Sequence, residues 1–366
     1  MKYKCILISG FSEEKIAHII QKLTDFPEFT LYPLYETQKT FRSNKSSNNY
    51  NQSELDDRIK DCKITREGYS VGFSVEEIQK ILKKGKTPIL VISQHYLDEL
   101  SKLLAGKGLY PMSFLIRNDQ ESEEEKAIEK KCFPKISYVI NKCDASLNSQ
   151  LIDKLWEFKN IGGGIHRELI ELLIKNDMLL RNAESELVSN ASYDIRLGDE
   201  YFYSGKIEKL SKKDPFIMIE PYDYVIASCL EGANFPRDVS ARFDVSVNLF
   251  CQGIILSNST QVDPGFRGKL FCLLFNTSNK SVCLKRGEHF VTIEFQKLLE
   301  PTTPYSGRYS EKEEIVYYLP NNVMQGAINE LKKEIELLKD ESKNMQNLYL
   351  SILGLILAII AIVIVF

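Results

Sequence analysis

Residues Leu348–Phe366 constrain this chain more than any other stretch: nineteen consecutive residues without a charge, fourteen of them Leu, Ile, Val or Phe. As a helix rising ~1.5 Å per residue, the run would be roughly 28 Å long, about the hydrocarbon thickness of a bilayer. Each large apolar side chain favours insertion by about 0.3–0.6 kcal/mol near the bilayer centre. A helix buried in a globular core would give the alternative reading, but such helices rarely lack polar residues on every face. The expectation is a single-pass C-terminal transmembrane helix over 348–366, with the soluble bulk on the cytosolic side.

Just before it, Met324, Ile328, Leu331, Ile335, Leu338, Ser342, Met345, Tyr349 and Ile352 alternate by four and three residues among Glu and Lys. That is the a/d spacing of a coiled coil, so a stalk is expected over 322–347. An amphipathic helix packed on a globular body would leave a similar stripe. The remainder of the chain is long enough for two ordinary domains. A formal net charge of −3 gives no basis for binding a nucleic acid polymer. The eight cysteines form no CxxC pair, which fits reduced, mostly buried thiols in a cytosolic protein and argues against a structural zinc site.

Residues 1–158 alternate strand-like and helix-like runs: Lys4–Ile8, Glu13–Leu23, Val75–Lys83, Pro88–Ser93, Ser137–Asn141 and Asn148–Phe158. This pattern predicts an α/β layer with a parallel sheet. The first strand leads through Ser9-Gly10-Phe11-Ser12-Glu13-Glu14-Lys15-Ile16 into a helix, the place for a phosphate-binding loop. The loop is degenerate. Beyond Gly10 there is no second glycine, Lys15 comes one residue early, Ile16 cannot hold Mg²⁺, and two carboxylates oppose an anion. The order of these segments, with Tyr69-Ser70-Val71-Gly72-Phe73 and Lys84-Gly85-Lys86, resembles the guanylate kinase family over about residues 3–158. The resemblance implies a kinase-like fold, and without a recognisable catalytic loop or arginine-rich lid it implies an interaction module rather than phosphoryl transfer.

Residues 160–305 read as short strands separated by turns such as Asp263-Pro264-Gly265 and Lys285-Arg286-Gly287, the pattern of an all-β barrel or sandwich. Expected strands include Ser192–Leu197, Tyr224–Cys229, Ser240–Leu249, Gly253–Leu256, Lys269–Asn276 and Val291–Glu294. Asn190 to Gly198, Gly253 to Asn258, Val262 to Gly268 and Lys285 to Phe290 follow one another with the order and spacing of the dCTP deaminase and dUTPase superfamily, which about residues 163–301 resemble. The resemblance implies a dUTPase-like barrel that assembles as a homotrimer with nucleotide sites between subunits. It assigns nucleotide contacts to Ser246, Asn258, Asp263, Gly265, Arg267 and Gly268, and structural roles to Asp194 and Arg196. Asp263 would be the catalytic carboxylate that orients or deprotonates water.

The departures are chemical. Where deaminases of this type carry a proton-shuttling Glu, this chain has Leu273, which moves no proton. Where the family has an Arg-Ser pair for the triphosphate, the sequence reads Asp244-Val245-Ser246-Val247, and the lost guanidinium contact is worth about 1.5–3 kcal/mol. Tyr305–Tyr309 offers a candidate for the loop that closes over phosphates, or a plain linker. Three readings stay open. The chain is a membrane-anchored sensor of a pyrimidine deoxynucleotide (dUTP, dCTP or dTTP), or an active hydrolase using Asp263 and nucleotide-bound Mg²⁺, or a scaffold that binds neither.

Overall fold

The computed structural model describes residues 3–10, 12–36, 47–49, 62–66, 69–117, 137–140, 144–159, 161–257, 261–319 and 327–365. The α/β half is built on β1 (Cys5–Gly10), β2 (Phe29–Leu31), β7 (Thr87–Val91), β8 (Pro111–Ile116) and β9 (Tyr138–Ile140). These pair in parallel in the order β2-β7-β1-β8-β9. Strand β1 lies in the middle and all six of its residues are buried, as a parallel strand covered on both faces requires. Helix α1 (Glu13–Thr24) is capped by Ser12, whose Oγ accepts from Lys15 N at 3.4 Å, and it buries Ile16, Ile19 and Leu23 at helical spacing.

A second, four-stranded sheet of β3 (Leu34–Glu36), β4 (Ser47–Asn49), β5 (Lys63–Arg66) and β6 (Tyr69–Gly72) flanks the first. Its Tyr35 hydroxyl donates to Glu77 at 2.7 Å on α2 (Val75–Lys83), tying that helix to the small sheet. Helix α3 (Leu97–Gly106), which no periodicity noted above anticipates, packs against β8. Helix α4 (Ala145–Glu157) starts three residues earlier than the apolar pattern suggests, because Asp144 caps it through Leu147 N at 2.9 Å.

The β half opens with β10 (Gly163–Gly164), α5 (Arg167–Lys175) and β11 (Leu179–Arg181). Its strands are β12 (Ser192–Tyr203), β13 (Lys206–Lys209), β14 (Phe216–Ile219), β15 (Tyr224–Asn234) and β16 (Val239–Val245), then β17 (Ile254–Leu256), β18 (Arg267–Asn276), β19 (Val282–Lys285) and β20 (His289–Lys297). Nine of them form one antiparallel network along β10-β20-β12-β15-β18-β17, with β16 on β20, β11 on β15 and β13 on β12, while β14 pairs with β19. Strand β12 serves two sides by switching partner: Ser192–Arg196 pair with β20, and Leu197–Phe202 pair with β15. Gly198 permits the changeover, since a Cβ there would lie 2.7 Å from Cys229 O. An isolated bridge between Ala241 and Val262 brings the β17 side back towards β16, so the sheet curls on itself.

One expected strand, Ser240–Leu249, is corrected. It ends at Val245, and a one-turn helix α6 (Val247–Cys251) follows, started by Ser246 whose hydroxyl accepts from Leu249 N at 3.5 Å. A serine at that position competes with the sheet ladder for backbone donors, which the apolar content of the run conceals.

The two halves share one continuous apolar core in which Trp156, Ile165, Ile170 and Phe295 are all buried. Helix α7 (Ala327–Val365) follows as a single run of 39 residues. From Glu334 its described side chains are exposed throughout, including Ile335, Leu338, Met345, Tyr349 and Ile352 of the expected seam. Among the described residues no helix is long and apolar enough to cross a membrane, so the expected span at 348–366 is not found among them. Ala358 and residues 360–366 of that span lie outside the described side chains, as do Met324, Ile328 and Leu331 of the seam.

Candidate functional site

The Asp263-Pro264-Gly265 turn sits between the Ala241–Val262 bridge and β18. Phe266 N donates to Asp263 O at 3.1 Å and Gly265 N to Pro236 O at 3.0 Å, which closes the turn. The Asp263 carboxylate is exposed, and its one described side-chain partner is Gln261, whose Nε2 donates to Oδ1 at 3.5 Å. An exposed carboxylate held by so weak a contact keeps lone pairs for a water or a sugar hydroxyl.

The turn is covered by a strap, residues 304–318. Tyr305 N donates to Pro264 O at 2.9 Å, Glu311 N to Arg267 O at 2.7 Å, and Lys269 N to Lys312 O at 2.7 Å. Gly265 has φ +74°, and a Cβ on it would meet Pro304 Cβ at 2.5 Å. At Gly268, φ is +146° and a Cβ would meet the Tyr318 hydroxyl at 2.8 Å. Both glycines are therefore required by the strap whether or not a nucleotide approaches. The strap contains Tyr305–Tyr309, and its far end is pinned where Ile315 N donates to Glu200 Oε2 at 3.0 Å.

The other expected contacts spread over different surfaces. Ser246 is buried and its hydroxyl is engaged as the cap of α6. Next to it, Val247 is 77 % and Phe250 64 % exposed, so α6 offers apolar surface where a triphosphate cradle needs donors. Arg267 faces a narrow cleft between the two halves, beside Ser137, Met178 and Arg237. Asn258 lies outside the described residues. Leu273 stands half-buried on β18, its carbonyl accepting from Ser257 N at 3.0 Å.

Asp194 and Arg196 belong to the scaffold of the first strand. Thr292 Oγ1 donates to Asp194 Oδ1 at 3.2 Å, and His289 Nε2 lies 3.4 Å from the same oxygen. The Arg196 guanidinium donates through Nε to Glu231 Oε1 at 2.7 Å and through a terminal nitrogen to Asn182 O at 2.7 Å, and it also bonds Glu184. Glu231 is fully buried and collects two more donors, Arg196 N at 3.0 Å and the Tyr193 hydroxyl at 3.1 Å. Burial, with Glu231 adding to it, pushes the Tyr193 phenol well above its usual range.

Sequence reasoning missed Glu231, although a signal was present. It is the one charge in the run Tyr224–Asn234, which is otherwise small or apolar in its middle, and a charge in such a run needs a buried partner. A second ionic knot, where the halves meet, was missed as well. The Tyr138 hydroxyl donates to Asp238 Oδ2, and Lys297 Nζ lies 3.4 Å away, with all three residues buried. Burial raises the Asp238 carboxyl above the usual carboxylate range, against the pull of Lys297.

At the α/β end, Gly10 closes β1. A Cβ there would lie 2.6 Å from Ile116 O on β8, so the neighbouring strand alone requires the glycine. Lys15 is half-buried in the first turn of α1, its N–H taken by the Ser12 cap.

Comparison with known proteins places the resemblance in the β half. The family model for dCTP deaminase-like proteins matches residues 165–298. A dCTP deaminase from Pyrococcus horikoshii is 37% identical over 145 residues, covering 39% of this chain and 92% of that protein. Among solved structures, a 2'-deoxycytidine 5'-triphosphate deaminase from Agrobacterium tumefaciens aligns at 18% identity with a TM-score of 0.33, over 37% of this chain and 48% of that one. A guanylate kinase from Anaplasma phagocytophilum aligns at 16% identity with a TM-score of 0.32, over 43% of this chain and 85% of that one. At those scores neither structural likeness carries an argument.

Proposed function

Because the chain belongs, through residues 165–298, to the dCTP deaminase-like family, we propose that its β half binds a pyrimidine deoxynucleotide at the Asp263 turn and has lost deamination. The observation that carries this reading is the pairing of an exposed Asp263 carboxylate with Leu273 at the position of the proton shuttle. The turn keeps an acceptor for a sugar hydroxyl, while leucine offers nothing to protonate a ring nitrogen. The apolar face of α6 supports weakened triphosphate binding, which suits a sensor that releases its ligand when the nucleotide pool falls. The α/β half acts in this reading as a guanylate-kinase-like interaction module without phosphoryl transfer. Helix α7 joins three copies as a coiled coil, and its apolar end anchors them in a membrane with the folded halves on the cytosolic side.

A second reading, hydrolysis of dUTP or dCTP, is favoured by the solvent access of Asp263, which suits a water-orienting base. Among the described residues no group of three or more His, Cys, Asp or Glu gathers as a metal shell. Any Mg²⁺ would arrive on the nucleotide phosphates. The deciding experiment incubates the full-length protein in detergent with dCTP, dUTP or dTTP and Mg²⁺, following products by chromatography and binding by calorimetry. Binding without turnover, weakened by Asp263→Asn, is the expected result. Turnover abolished by Asp263→Asn would replace the sensor with the hydrolase, and neither binding nor turnover would leave a scaffold.

A further inference from the structure

Strands β13 and β14 both stand at a sheet edge: β13 pairs with β12, β14 pairs with β19, and among the described residues no strand takes the other edge of either. The two edges are finished differently. β13 reads Lys-Ile-Glu-Lys with every side chain exposed, and charges of this kind discourage a further strand. β14 reads Phe-Ile-Met-Ile and carries no charge. Its Ile217 and Ile219 are buried, while Phe216 is 48 % and Met218 46 % exposed. An open edge of this composition is one that proteins in water ordinarily cover.

Beside β14 lies a groove of about 410 Å³, bounded on its other side by the β12–β13 hairpin and lined by Tyr201, Tyr203, Lys206, Glu208, Ile217 and Met218. The hairpin turns at Ser204 and Gly205, with φ of +48° and +80°, both left-handed as a tight two-residue turn requires. That register sets Tyr201 opposite Glu208 and Tyr203 opposite Lys206, so two rings and two charges share one face. The Tyr201 hydroxyl donates to Glu208, and Glu220 N donates to the Tyr203 hydroxyl at 3.5 Å, tying the hairpin to the residue after β14. At ~3.4 Å per residue the four residues of β14 offer an edge of roughly 14 Å, enough for about four residues of an added strand.

The surroundings have a sign. Between Gly205 and Phe216 the chain carries Lys206, Lys209, Lys212 and Lys213 against Glu208 and Asp214, all exposed, although its overall net charge is −3. Lys209 is paired with Glu200 at 2.9 Å, whereas among the described residues Lys206, Lys212 and Lys213 make no ion pair. A second copy of this chain would bring the same lysines to the contact, like charge against like, and an acidic strand would bring the opposite sign. We propose that an extended acidic segment of a partner protein adds to the open edge of β14. Its backbone pairs with β14, its alternate apolar side chains enter the groove over Tyr201 and Tyr203, and its carboxylates meet Lys206 and the Lys212–Lys213 loop. The groove shares no residue with the Asp263 turn, so the proposal stands whether or not that turn binds a nucleotide.

The test is fluorescence anisotropy on full-length protein in detergent. The probes are a labelled Asp-Val-Asp-Ile-Asp-Val peptide, its Lys-Val-Lys-Ile-Lys-Val counterpart, and two forms of the acidic peptide N-methylated on the odd or the even amides. Saturable binding of the acidic peptide is expected. The basic peptide should bind about tenfold more weakly or worse, and so should the methylated form whose blocked amides face β14. Lys206→Glu should shift the preference towards the basic peptide about tenfold, and Met218→Glu, by charging the open edge, should weaken the acidic peptide about tenfold. Both side chains are exposed, so neither change should move the thermal midpoint of the free protein. No saturable binding of the acidic peptide at millimolar concentration would overturn the proposal. So would equal binding of the acidic and basic peptides, full binding of both methylated forms, or binding that survives both substitutions. Light scattering on the same samples covers the other occupant: self-association that Met218→Glu abolishes, with no peptide bound, would give the edge to a second copy and overturn the acidic partner.

Discussion

Gly10 at the end of β1 in the α/β half and Gly265 in a turn of the β half both stand where the sequence leads one to expect a ligand phosphate or sugar, and both are required by something inside the protein. The requirement differs. Gly10 is crowded by the adjacent strand, where Ile116 O would stand 2.6 Å from any Cβ, and that contact is sealed within a five-stranded parallel sheet. Gly265 is crowded by Pro304, part of a strap that returns from later in the chain and rests on a few backbone hydrogen bonds. A glycine locked into a sheet is held by the core of the α/β half. One covered by a strap is uncovered only if the strap lifts, and the strap is itself anchored by buried Ile315 and by Tyr318 packed on Phe271. Gly265 is thus tied to a cover laid on the sheet, and Gly10 to the sheet itself.

The sharpest way to break this comparison is to remove what holds the β half rigid. Glu231→Ala leaves the Arg196 guanidinium and the Tyr193 hydroxyl without their buried acceptor, and should cost about 3–5 kcal/mol in urea unfolding. A loss below about 1 kcal/mol would mean that Arg196 finds other partners and the network is not what fixes β12.

Next, Gly265→Ala should cost about 2–3 kcal/mol, from left-handed strain plus the clash with Pro304, and should expose the strap to limited proteolysis near Tyr305. Gly10→Ala should cost about 1–3 kcal/mol by forcing β1 from β8, without changing strap cleavage. Identical proteolysis patterns in the two variants would erase the distinction between them.

The ionic knot between the halves gives a pH-dependent test. The folded state raises the Asp238 carboxyl, so the folded protein holds that proton more tightly than the unfolded chain. Its contribution is fully present below the unfolded carboxylate range and is lost as pH rises through the raised folded value. In Asp238→Asn that part of the slope should vanish from a stability-versus-pH series, and an unchanged slope would assign it elsewhere. The smallest effect is expected from Arg167→Ala, which removes an exposed pair with Glu171 at 2.8 Å on α5 and should change stability by at most about 0.5 kcal/mol.

What the sequence reveals and what it hides follow from the range of the interactions involved. Helices α1, α2 and α4 and strands such as β1, β7, β12, β15, β18 and β20 are legible because period and capping are local, and the all-β character of the second half follows from strand spacing, whereas β8, β13, β14 and β19 are not anticipated. Helix α6 is not, because a single hydroxyl at Ser246 decides it against an apolar run. The Asp263 turn is legible as a turn, but the reason for its glycines is not, since Pro304 and Tyr318 reach it from far along the chain. Asp238 and Lys297 are likewise unreadable as a pair, being brought together by the pairing of β16 with β20, and Tyr138 joins them only where the halves meet.

The strap has a mechanical consequence. It is the covalent route from β18 and β20 to α7, so tension on that long helix is delivered to the strap before it reaches the sheet. Tyr318, packed on Phe271, bears the load first, then the Ile315–Glu200 bond, then the backbone bonds at Lys312 and Glu311, and last the one between Tyr305 and Pro264. Such bonds, pulled one after another, part like a zip rather than a clasp. A twist or displacement of α7 would thus peel the cover towards Asp263 in small steps, and a molecule wedged under the cover would tug on the helix in return.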